Sequence, residues 1–153
     1  MFYMRPSRYF PKETPTEDII DTLAYCMQTM TASEEACVNG IGFLAYMNDW
    51  KMENFSMNYC FHFMRMLQGR AIPGTVELFL IVNPPSWFGA IWKIMKPMLS
   101  AQFRRKVRMI SEKNLGKYLQ EGFEEFLPNE TAFGKADTEN LVEDFVTYRK
   151  HVE

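Results

Sequence analysis

PPSWFGAIWKIMKPMLSAQFRRKVRMI, residues 84–110, is the stretch that decides how this chain folds. It joins an apolar helix to a basic segment. From Trp87 to Leu99 the apolar residues Trp87, Phe88, Ile91, Trp92, Ile94, Met95, Met98 and Leu99 cover an arc wider than the roughly 100° stripe an ordinary surface helix buries. Such a helix needs apolar neighbours on more than one side. It is too short to span a bilayer, which takes about 20 apolar residues, and Lys93 and Lys96 interrupt it. Three roles remain: a core helix, a helix at a membrane surface, or a movable cover over an apolar cavity.

Immediately upstream, VELFLIVN (Val76–Asn83) reads as a buried strand that two prolines terminate. IGFLAYMN (Ile41–Asn48) is a second such strand, apolar almost throughout, as strands covered on both faces of a parallel sheet are. Between these two, a polar loop leads into a helix over Met57–Gln68 that stops at Gly69. Residues 1–5 read as a short strand, and Pro6, Pro11 and Pro15 make residues 6–15 a loop. Glu17 and Asp18 then precede Ile19, Ile20, Leu23, Met27 and Met30, which predicts a helix from about residue 16 to 36, with Ser33 as an alternative end and Asn39-Gly40 as its outer limit. Downstream, Val107–Ile110 is a fourth strand, Leu115–Tyr118 a short helix and Leu127-Pro128 the start of a loop. Asp137–His151, with Leu141, Val142, Phe145 and Tyr148 in register, is an amphipathic helix. Strands alternating with helices predict an α/β fold with a mostly parallel sheet, its helices set against the faces by right-handed crossovers.

A chain of 153 residues is long enough for one core, and we expect one compact domain over residues 1–153. The net charge of −2 argues against nucleic-acid binding. Charge is nevertheless segregated: Lys93, Lys96, Arg104, Arg105, Lys106 and Arg108 make the middle basic, while Glu121 to Asp144 is acidic. One surface therefore prefers anions. Cys26, Cys37 and Cys60 are widely spaced, form no CxxC pair, and fit a reducing compartment as structural thiols. His62 lies among Phe61, Phe63 and Met64, as a core or boundary histidine would. No GxSxG elbow, Walker A loop or complete dinucleotide fingerprint is present, and no nucleophile, base and orienter are forced together. We expect no catalytic residues, no metal and no cofactor. The 12 methionines suit either an adaptable cavity wall or simply a soft core.

A strand ending in Val82-Asn83-Pro84-Pro85, an aromatic helix with Trp87 and Trp92, the segment Lys96-Pro97-Met98-Leu99 and the basic Arg104-Arg105-Lys106 occur here in sequence. This combination resembles the signature of the CRAL-TRIO lipid-binding domain, the family of the phosphatidylinositol and alpha-tocopherol transfer proteins. A weaker likeness runs from Arg5-Pro6 to Leu127-Pro128. The resemblance implies a pocket floored by the parallel sheet, with Trp87, Phe88, Ile91, Trp92, Met95 and Leu99 forming a gate over a bound lipid. Some of these would face lipid and others the sheet, and the arc is too broad for periodicity to separate them. Gly89 would either ease the gate's swing or permit close helix packing. Lys106 matches a headgroup-binding lysine, and Arg105, Arg104 and Lys96 are further candidates for headgroup or membrane contact. The glutamate that accompanies this lysine in phosphatidylinositol-binding members falls at Gly74, so half of that pair is missing. The helical bundle that usually precedes the domain is not in this sequence.

The implied function is binding of one hydrophobic or phospholipid ligand and its exchange at anionic membrane surfaces. That predicts a cytoplasmic monomer, transiently membrane-associated, with no enzymatic activity. A second possibility is a non-transferring regulatory or membrane-anchoring module of a larger protein.

Overall fold

The computed structural model describes residues 1–69 and 76–138, together with Glu143, Thr147, Tyr148, Lys150 and His151. Two compact units are present, Met1–Ile110 and Ser111–Glu153.

In the first unit four strands, β1 (Phe2–Met4), β2 (Ile41–Tyr46), β3 (Val76–Val82) and β4 (Val107–Ile110), lie side by side in chain order, all parallel. Phe43 sits opposite Phe2 on one side and Phe79 on the other, and Phe79 opposite Val107. Odd-numbered residues of β2 and β3 therefore share a face with Phe2, Met4 and Val107. Parallel strands in sequential order, joined by crossovers of one hand, place their connections on one side of the sheet. The helices α1 (Thr16–Met30), α3 (Met57–Gln68), α4 (Phe88–Met95) and α5 (Ala101–Arg104) do gather there; α2 (Glu34–Asn39) completes the set. Leu23, Met27, Phe63, Leu67, Phe88 and Phe103 from these helices join Phe43, Ala45, Phe79 and Ile81 in one core. Helices of this unit thus cover one sheet face, where the sequence suggested both.

Element positions follow the sequence closely, with two differences that have local causes. The helix expected over 16–36 is two: α1 stops at Met30, and the extended Ser33 starts α2 by accepting the Ala36 amide at 3.2 Å. The apolar helix expected from Trp87 to Leu99 is α-helical only to Met95, and Lys96–Met98 forms a 3-10 turn. Pro97 supplies no amide to continue the α-helical ladder.

In the second unit, 3-10 turns at Glu112–Lys117 and Phe123–Glu125 replace the short helix expected at 115–118. Here Leu127-Pro128 opens a tight loop: Pro128 bridges Ala136, Thr131 donates to the Pro128 carbonyl at 2.8 Å, and the buried Glu112 accepts the Ala132 amide at 2.7 Å. A Cβ on Gly134 would lie 1.9 Å from the Pro128 carbonyl oxygen, so this loop admits only glycine there. The amphipathic helix expected over 137–151 falls largely outside the described residues, Leu141, Val142 and Phe145 included; the described residues from Glu143 to His151 are helical.

Candidate functional site

The carboxyl ends of β2 and β3 set up the site. Asn83, the residue after β3, takes a left-handed backbone with φ 51°, a conformation asparagine tolerates far better than a branched residue. The chain thereby turns off the sheet into Pro84-Pro85 and α4. Asn83 Nδ2 donates to Asn48 Oδ1 at 3.0 Å, and Asn48 Nδ2 donates to the Tyr46 hydroxyl at 2.6 Å. The Asn-Pro-Pro element is therefore a clamp between two strand ends from which α4 departs.

Between the sheet and the helices lies an apolar cavity of about 50 Å³. Ala45, Met47, Phe79 and Ile81 form its floor; Tyr59, Cys60, Phe63 and Met64 of α3 form one wall, and Phe88, Trp92 and Met95 of α4 the other. The aromatic rings interlock, with Phe43 stacked on Phe79 at 5.7 Å and Tyr59 stacked on Phe63 at 5.6 Å. Ligand pockets usually measure about 300–1,000 Å³. This cavity is closed by comparison.

α4 separates into two faces. Phe88 and Met95 are buried, as is Leu99 beyond the helix, and Trp87, Ile91 and Trp92 pack half-buried against the core. All six predicted gate residues thus face inward. The outward face carries Lys93 and Lys96 beside Ile94 and Met98, which are 57% and 46% exposed. The broad apolar arc is therefore an inner core stripe plus outward apolar residues among lysines. A Cβ on Gly89 would meet nothing within 4 Å, which removes close packing as the reason for this glycine.

On the outside, α3 and the end of α4 border a groove of about 450 Å³ lined by Met57, Phe61, Met98 and Arg65, among others. Cys60, Met64 and Met95 line both this groove and the inner cavity. Three soft side chains form the partition, two of them unbranched methionines that change shape readily. Gln68 spans the far end, its Oε1 accepting the Ser100 amide at 2.6 Å just past the gate residues.

A smaller cleft continues from Gln68, Gly69 and Ser100 to Lys106. The Lys106 ammonium is 3.0 Å from Glu77 Oε1, with side-chain exposures of 19% and 50%. Lys106 therefore has a carboxylate beside it, supplied three positions after Gly74, which itself lies outside the described residues. Arg104, Arg105 and Lys96 are exposed and do not converge on the cavity.

Several participants escaped the sequence reading. Trp50 belongs to a loop that reads as polar, yet it is buried, 4.7 Å from Trp87 and 5.8 Å from Phe88 between ring centroids. The inner face of α3 was visible as helical periodicity, but nothing in it marks a cavity wall. His62 is exposed, not a core or boundary residue, because its neighbour Phe63 takes the inward position. The cysteines are free thiols, and burial pushes Cys60 up to about 12. Among the described residues no His, Cys, Asp and Glu cluster could hold a metal, and no helix is long and apolar enough to cross a membrane.

The family model described as CRAL/TRIO domain matches residues 1–131. Proteins named "Alpha-tocopherol transfer protein-like" from Homo sapiens and Mus musculus are 28% and 29% identical over 110 residues, covering 67% of this chain and 31% of theirs. The chain thus spans about a third of the length of these curated relatives. A solved structure described as "Crystal structure of Sfh5" aligns with a TM-score of 0.48 at 16% identity, over 73% of this chain and 42% of that one. With its first 131 residues matched by the family model, the chain belongs to the CRAL/TRIO domain family, whose members bind lipophilic ligands.

Proposed function

We propose that residues 1–153 act as one lipid-binding domain that takes a single hydrophobic or phospholipid ligand between the sheet and α4 and exchanges it at anionic membrane surfaces. The observation that carries this reading is the shared partition of Cys60, Met64 and Met95, with a wholly apolar cavity on one side and an apolar groove on the other. The name of the curated relatives joins tocopherol to transfer, and we carry over both ideas, a hydrophobic ligand and its movement, as part of the proposal.

Physical chemistry dictates where exchange takes place. Releasing a lipid with about thirty methylenes into water costs on the order of 20 kcal/mol at roughly 0.8 kcal/mol per methylene. Lifting α4 in water also re-exposes Phe88 and Met95, each worth about 1.5–3 kcal/mol of burial. A bilayer removes both costs. Lys93, Lys96, Arg104 and Arg105 would contribute up to about 1 kcal/mol each near an anionic surface, while Ile94 and Met98 enter the interface. Lys106 would contact a phosphate or other anionic headgroup, exchanging its pairing with Glu77.

The test is to purify the full chain, extract it with organic solvent and look for a stoichiometric lipid, then follow lipid movement between donor and acceptor vesicles. We expect one lipid per chain and transfer that depends on anionic lipid. Lipid bound without transfer would favour the non-transferring anchoring module, and no lipid after incubation with vesicles would overturn the proposal.

A further inference from the structure

The outer groove, between α3 and the end of α4, has a volume of about 450 Å³, within the range of about 300–1,000 Å³ usual for small-molecule sites. Along α3 it follows one stripe, Met57, Phe61, Met64 and Gln68, set at the helical spacing that puts side chains on one face. At a rise of about 1.5 Å per residue this stripe runs about 16 Å along the helix. Met95 and Met98 form the facing side. Phe61 and Met98 are 44% and 46% exposed, so apolar surface here is open to water and an occupant would cover it.

Polarity is concentrated at one end. Arg65, Gln68 and Ser100 line the groove where α3 finishes. Gln68 is already engaged, its Oε1 accepting the Ser100 amide at 2.6 Å and its Nε2 donating to the Met64 carbonyl at 3.0 Å. Arg65 is exposed, and among the described residues its guanidinium has no hydrogen-bond or ion-pair partner. It is also the one charged side chain among the described residues lining the groove, so no acid of the groove competes for it. An arginine stem lies readily along apolar surface with its head in water, and the head holds a carboxylate through two parallel hydrogen bonds. The cavity under α4 offers the opposite. No Lys, Arg or His is among its described lining residues, so an ionised carboxylate there would be buried without a countercharge, which is strongly unfavourable.

We propose that the outer groove is a second ligand site, separate from the cavity under α4, and that it takes a single-chain fatty acid. The chain lies along Met57, Phe61, Met64 and Met98, and the carboxylate meets Arg65. A neutral amphiphile of the same length gains the apolar contacts without the ion pair. Because Met64 and Met95 also line the inner cavity, the fatty acid packs against the partition from outside. The site does not depend on what the inner cavity binds.

The experiment titrates dodecanoate or dodecanol, each below the concentration at which it aggregates, into the full chain at neutral pH and low salt, with calorimetric detection. We expect wild type to bind dodecanoate about fivefold tighter than dodecanol, the upper weight of an exposed ion pair, and the preference to shrink as salt is added. Arg65→Gln should abolish the preference and leave dodecanol binding as it was. Phe61→Glu, at an exposed position that leaves the core intact, should weaken both. Dodecanoate carrying a mid-chain diazirine should crosslink to Met57, Phe61 and Met98. Equal affinity for the two compounds, a preference that survives Arg65→Gln, or no saturable binding of dodecanoate overturns the proposal. Crosslinks confined to Met47, Phe79 and Ile81 overturn it too, by placing the fatty acid in the inner cavity.

Discussion

Replacing Phe88 by alanine should loosen the gate without unfolding the sheet. Phe88 is 4% exposed, and its ring lies 5.8 Å from Trp50 and 6.2 Å from Trp92 between centroids. Truncating a buried phenylalanine costs about 3–5 kcal/mol. That loss falls on the closed state, since with α4 lifted the ring already sits in solvent. The open population should therefore rise roughly a hundredfold or more. Cys60 reports it, because it lines both the cavity and the groove. Burial raises its pKa from the ordinary 9.0 to about 12, which lowers the thiolate fraction at neutral pH about a thousandfold. Opening hydrates the thiol and restores the reactive thiolate. Iodoacetamide labelling of Cys60 should accelerate by about the factor by which opening grows. Cys26 on α1, a second thiol raised by burial, is the control for global unfolding. Unchanged Cys60 labelling would refute the idea that α4 moves alone, as would Cys26 and Cys60 accelerating together.

Three further substitutions probe separate parts of the account. Gly89→Ala has open space for its methyl group and should stabilise α4 by roughly 0.5–1 kcal/mol, visible as a higher Tm together with slower vesicle-to-vesicle transfer; faster transfer would contradict a gate that swings at this position. Lys106→Ala removes a half-exposed ion pair worth about 0–1 kcal/mol, so Tm should barely move while retention of anionic lipids falls and that of neutral lipids holds. Asn83→Ala loses both the left-handed preference and the bond to Asn48 and should cost about 2–3 kcal/mol in urea unfolding; a neutral result would mean the strand-end clamp is incidental.

The strands were legible because Ile41–Tyr46 and, apart from the exposed Glu77, Val76–Val82 are apolar runs, the pattern of strands buried on both faces. The Asn-Pro-Pro corner was legible as a motif, though its cause, a left-handed Asn83 bonded to Asn48, required the register of β2 and β3. The end of α1 was legible at Ser33 as an alternative to residue 36, but alanine and glutamate around it are good helix formers, and only the capping bond shows that a second helix starts there. α4 looked uniform because Ile94 and Met98 are apolar yet point outward, and no periodicity distinguishes an apolar residue kept for the core from one left exposed. Trp50 and Glu77 were out of reach for a simpler reason. Their importance lies in partners far along the chain, Trp87 and Lys106, which the fold brings to them.

The central claim is that the ligand's apolar part lies beneath α4, inside the wall formed by Cys60, Met64 and Met95. A phospholipid with a diazirine at mid-chain, loaded from anionic vesicles, photolysed and mapped by peptide mass spectrometry, tests it most directly. The account predicts crosslinks to Met47, Phe79, Ile81 and Trp92, which line the closed cavity. Crosslinks confined to Met57, Phe61 and Met98 would place the chain in the outer groove and contradict it.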